Sequence, residues 1–223
     1  MSKKESANAN RTAATAKSIL TLLGDMTDVM VQLAEEMEGY LVDRNPVRLE
    51  RLKNLAARKE QLADEGLRDL RTMFNPQVEH GDLSRMITYL ERVMSHIEQA
   101  EMMLNVLQAP ADEAMRQMAG SIRECAVGLR RAIENQQKKG AQSATTQQCE
   151  QALSAVEKIS SQYYASLGEI CGLTATTAPT MDTLLQRTSE LFRTREIYKT
   201  FFEISNEMRR SVRMFQEIAV NLP

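Results

Sequence analysis

The sequence predicts an all-α fold, a six-helix antiparallel bundle built from two three-helix halves. Three observations predict it. Apolar residues recur at the 3.6-residue period of a helix along almost the entire chain. Met, Leu, Ala, Glu, Gln and Arg, which lose little side-chain freedom in a helix, abound, against 9 Gly, 5 Pro and no Trp. No segment alternates apolar and polar residues between turn signals, as a half-buried strand does. Short breaks between long helices make antiparallel neighbours, and 223 residues are enough to bury a proper core.

Residues 1–14 read as a disordered polar tail and 15–223 as a single helical domain, with halves at about 15–108 and 110–221. Ile19, Leu23, Met26, Met30, Leu33, Met37 and Leu41 stripe the first helix. It ends at Asp43-Arg44-Asn45-Pro46, where Asn45 can cap a new helix and Pro46 can take its first position. Leu49, Leu52, Ala56, Ala63, Leu67, Leu70 and Phe74 mark the second helix, broken from Asn75–Pro76 to His80–Gly81. Asp82 starts the third, with Leu83, Met86, Leu90, Met94, Ile97 and Leu104 on its face, and it stops before Pro110. Met115, Met118, Ile122, Cys125, Leu129 and Ile133 define the fourth, followed by a polar linker over 136–146. The fifth carries Leu153, Val156, Ile159, Tyr163, Leu167 and Ile170 and ends at Gly172. After the loop 173-LTATTAPT-180, Thr180 caps a long last helix through Leu184, Leu191, Tyr198, Phe202, Met208, Val212 and Phe215.

A formal net charge of −2 gives no long-range pull toward nucleic acid or an anionic membrane. No window approaches the roughly 20 apolar residues of a membrane span, and the N-terminus lacks the apolar run of a signal peptide. Cys125, Cys149 and Cys171 are odd in number and widely spaced, which reads as small apolar residues in a reducing compartment. The expectation is a cytoplasmic protein. No Ser/His/Asp grouping, GxGxxG or GxxxxGK[ST] loop is present, which speaks against a conventional enzyme. His80, in a loop, and His96, off its helix's apolar face, read as surface histidines.

Two groups of residues stand out. Glu60 and Asp64 lie one turn apart on the second helix, where like charges repel by about 0.2–0.5 kcal/mol. Glu60 projects about 20° from Leu67, at the border of the core, and Lys59 falls near the middle of the apolar face. Lys59 either snorkels outward or neutralises a partly buried carboxylate. Carboxylates at i and i+4 facing acids from a neighbouring helix form the oxygen-rich cage that bundles use for iron or manganese. The third helix offers Glu91, although its i+4 position is Ser95; the plainer reading is an acidic flank. Arg209 and Arg213, one turn apart, can grip a phosphate or an acidic partner or form a solvated, salt-bridged face. The 14 methionines can fill the core or line an adaptable groove.

The six-helix order over residues 15–221, the stretch 60-EQLAD-64 and the ending 195-REIYKTFFEISNEMRRSVRMFQEI-218 resemble the PhoU-like phosphate transport regulators, particularly the branch associated with low-affinity phosphate permeases. The resemblance implies a PhoU-like, spectrin-like bundle and a non-enzymatic regulator of inorganic phosphate transport acting by protein–protein contact. The family carries an acid-x-x-x-acid motif on the second and third helices of each half, and these bind metal clusters in some members. Here the first motif is Glu60 and Asp64, the second Glu91 and Ser95, the third Glu157 and Ser161, and the fourth falls near Phe202 and Asn206. Arg209 and Arg210 replace the acidic pair that usually follows. The expectation is therefore no cluster in the second half and at most a residual site for iron or another divalent ion at Glu60, Asp64 and Glu91. Two other readings stay open: a helical adaptor or secretion-type chaperone binding an amphipathic segment in a Met-lined groove, and, less favoured, a metal-dependent bundle enzyme. Self-association is left open as well.

Overall fold

The computed structural model describes the backbone of residues 3–72, 80–138, 140–173 and 181–221. Side chains are described over 18–68, 81–138, 140–170, 182–183 and 185–221. Within these residues the chain is helical throughout, with no strand: α1 (Lys3–Asp43), α2 (Pro46–Thr72), α3 (His80–Leu107), α4 (Glu113–Gln136), α5 (Gln142–Leu173) and α6 (Met181–Asn221). The helix of α1 begins inside the segment read above as a tail.

The α1–α2 corner follows from its sequence. Arg44 takes a left-handed φ of 51° while its N–H bonds the Tyr40 carbonyl, which closes α1. Asn45 then caps α2, its side chain accepting from the Val47 N–H at 3.0 Å, with Pro46 as the first helical residue. Asp112 does the same for α4, accepting from the Met115 N–H at 2.8 Å. Two expected boundaries move. His80 opens α3 rather than lying in a loop before it. The linker read over 136–146 shrinks to 137–141, because α5 starts at Gln142 and Thr145 turns into the core, its N–H bonded to the Ala141 carbonyl. The polar Gln, Ser and Thr residues there are the first turn of a helix. The break after α2, Phe74 and the loop with the Thr180 cap lie outside the described residues.

Named contacts give the helix directions. Glu36 meets Arg48 and Arg51, and Leu22 approaches Gly66, so α1 and α2 run antiparallel. Lys59 opposite Ser95 and Gly66 opposite Ile87 set α2 against α3 in the same way. Glu38–Arg123 and Asp28–Arg130 join α1 to α4. Lys158–Glu124 joins α5 to α4, and Arg209–Ser160 joins α6 to α5. A Cβ on Gly128 would come within 3.0 Å of the Ala152 Cβ, so this glycine lets α4 and α5 approach closely. At Gly66 a Cβ would meet Leu22 at 2.7 Å and Ile87 at 3.3 Å; its absence lets α1, α2 and α3 converge.

The stripes expected for α1, α3 and α4 are buried in full. α2 is different. Its fully buried apolar side chains among the described residues are Leu52 and Ala63, and between them lies Lys59. Apolar burial contributes roughly 25 cal/mol per Å², so α2 is the helix that leans most on charge to stay seated. No helix in the described residues is long and apolar enough to cross a membrane.

Candidate functional site

The charged seam where α1, α2 and α3 meet is the most distinctive group of polar side chains. Lys59 is 4% exposed, far below what a lysine shows unless it is paired. Its ammonium donates to Ser95 Oγ at 3.2 Å and lies 3.0 Å from each Glu98 carboxylate oxygen. Of the two readings above, Lys59 thus neutralises a partly buried carboxylate. One turn further along α3, Glu101 is buried, and its Oε1 has no hydrogen-bond partner among the described residues. Burial first, then the Glu98 and Glu36 carboxylates, push the Glu101 carboxyl up to about 7, with Lys53 opposing. Glu36 is itself held by Arg48 at 2.8 Å and Arg51 at 3.2 Å. Alongside runs an open groove of about 370 Å³, lined by Gln32, Glu35, Glu36, Arg51, Asn54 and Arg58 among others.

The expected ligand residues sit elsewhere. Glu60 and Asp64 are exposed, and Glu91 is half-exposed on α3. The expectation that Glu60 borders the core is corrected: the buried stripe of α2 is centred on Leu52, Lys59, Ala63 and Gly66, and Glu60 lies about 90° round the helix from it. Among the described residues no three His, Cys, Asp or Glu side chains are grouped to share a metal ion. Ser95, where a second acid is expected, receives the Lys59 ammonium instead.

A matching contact joins α5 to α6. Arg209 is half-buried and donates to Ser160 Oγ at 3.3 Å, whereas Arg213, one turn on, is exposed. The structure therefore turns the first arginine onto α5 and leaves the second in solvent. Glu157 and Ser161 are exposed, and Phe202 stacks on Tyr163 with centroids 4.5 Å apart. Tyr198, from the Arg-Glu-Ile-Tyr stretch, is a structural tie: its hydroxyl donates to Asp112 Oδ2 at 2.7 Å, on the residue that caps α4. Burial and that contact raise its pKa.

Other candidates are quiet. Burial pushes the Cys125 thiol up to about 12 and the Cys149 thiol to about 11, so both are inert apolar residues. Nδ1 of His96 lies 3.4 Å from the Gln99 side-chain oxygen. Among the described residues nine methionines are buried: Met26, Met30, Met37, Met86, Met94, Met115, Met118, Met208 and Met214. Core filling takes most of them.

Sequence reasoning missed Glu98 and Glu101. Glu101 carried a readable signal, because Met94, Ile97, Glu101 and Leu104 follow the 3-4-3 spacing of a buried helix face. An acid at such a position is out of place on a core stripe. Glu98 carried none, since only the arrival of Lys59 from α2 distinguishes it from a solvated acid. No protein-family profile matches the chain, and no characterised protein matches it by sequence.

Proposed function

We propose that this chain is a non-enzymatic, PhoU-like regulator of inorganic phosphate transport that acts by contact with a protein partner, a phosphate permease. The reading begins from 60-EQLAD-64 and the closing helix from Arg195 to Ile218. α1, α2 and α3 touch one another, α4, α5 and α6 do the same, and α1 packs on α4 and α3 on α6 as well. The observation that carries most weight is the pair of cationic contacts, Lys59 to Ser95 between α2 and α3 and Arg209 to Ser160 between α5 and α6. In each half a side-chain cation lies between the two helices on which the family carries its acidic motifs. On this reading the regulator works without clusters, with a cation bonded to a serine hydroxyl between the two helices.

Two experiments test this. Affinity capture with the tagged chain from detergent-solubilised native membranes and from cytosol is expected to recover a phosphate permease. Recovery of a single soluble client and no permease would overturn the transport reading in favour of an adaptor. Elemental analysis of protein purified without chelator is expected to find less than one iron or manganese per chain. A full complement of metal, whether Glu60→Gln or Glu157→Gln removes it, would sink the cluster-free reading.

A further inference from the structure

Glu101 faces a seam in which the neighbouring cations are engaged elsewhere. The α2–α3 register that sets Lys59 opposite Ser95 and Gly66 opposite Ile87 also sets Lys53 opposite Glu101. The Lys53 side chain is 76% exposed and turned toward Glu50, 3.5 Å away. From α1 comes Glu36, shared by Arg48 and Arg51; on α3 itself is Glu98, held by Lys59. α6 packs on another side of α3, with Thr200 against Met103. An ionised Glu101, itself only 5% exposed, would place a third carboxylate beside Glu98 and Glu36. A neutral acid adds no charge there.

We propose that Glu101 is a proton-operated latch: in its neutral form it lets α2 seat on α1 and α3, and loss of its proton loosens α2 while α4 and α5 stay packed. α2 is the element that yields because Leu52 and Ala63 are its only buried apolar side chains among the described residues, and it depends on the Lys59–Glu98 and Arg48–Glu36 ion pairs. α4 and α5 are joined by close packing at Gly128 and Ala152, and their Lys158–Glu124 pair is exposed. The carboxyl moves from its ordinary 4.5 up to about 7 in the folded protein, chiefly by burial. The closed state then holds a proton that the open state releases. Closure is strongest below pH 4.5 and weakens up to about 7, by up to about tenfold in the opening constant per pH unit. Above that window it is level. The latch is independent of whether phosphate transport is the process regulated.

Amide hydrogen exchange at pH 5.5 and 7.5, corrected for the intrinsic rate, tests it on the full chain. The opening constant of α2 is expected to rise at least tenfold between the two, with α4 and α5 unchanged. Glu101→Gln, neutral and nearly the same shape, is expected to abolish the rise. An undiminished rise in that variant, or an equal rise in α5, would overturn the latch. A second measurement needs no variant: carbon-13 NMR of the wild-type glutamate carboxyls should show Glu101 titrating above pH 6, and a midpoint below 6 rules the latch out.

Discussion

Lys59→Met is expected to destabilise the fold by about 2 kcal/mol, read as a lower urea midpoint with an unchanged slope. Methionine fills nearly the same volume on α2, so the loss isolates the charge. Removing one partner of a fully buried ion pair costs about 3–5 kcal/mol, because the other charge is left buried without compensation. Here the surviving Glu98 side chain is 26% exposed, and water reaching it reduces that cost. Ser95 Oγ also loses its donor. The double variant Lys59→Met, Glu98→Leu is expected to recover most of the loss, since apolar replacements of buried ion pairs are often neutral or better. If the double variant were as unstable as the single one, the stranded Glu98 carboxylate would not be the source of the loss.

The larger effect is expected at Phe201→Ala, about 3–5 kcal/mol by loss of a buried aromatic and the cavity it leaves. Phe201 is fully buried on α6, flanked along the helix by the buried Ile197, Ile204 and Met208. Against a total stability of about 5–15 kcal/mol for a domain, such a loss brings the chain near its unfolding threshold. Phe202→Ala, one residue on, is expected to cost less than half as much. Phe202 is half-buried and packs at the surface against Tyr163 and Tyr164. Urea denaturation of the two variants side by side checks the contrast, and equal losses would mean that α6 is rotated from the face described.

That contrast also marks where sequence reasoning loses precision. For α1, α3 and α4, a single stripe of spaced apolar residues named the buried face correctly, since each helix buries one coherent side. α6 buries Ile197, Phe201, Ile204, Met208 and Phe215, while the adjacent Phe202 is only half-buried. The stripe read from spacing included Phe202 and passed over Phe201 and Ile204. Asn45 and Pro46 were legible because capping is a local event, satisfied within two residues. The linker over 136–146 was overextended because Gln, Ser and Thr are equally at home in a loop and in a first helical turn, and only the burial of Thr145 decides between them. At the candidate site, the displaced position of Lys59 was legible and the chemistry answering it was not. The acids adjacent to it in sequence, Glu60 and Asp64, face water.

By itself the sequence determined six helices, the Asn45 cap and the apolar faces of α1, α3 and α4, because each depends on spacing over a few residues along one helix. The tertiary structure alone decided which charges leave water. Lys59 finds Glu98, 39 positions away, and Glu101 ends up beside Glu36 of α1, because three helices converge at one register. The cost or gain of burying a charge depends on what stands opposite, and that is set by the meeting of helices.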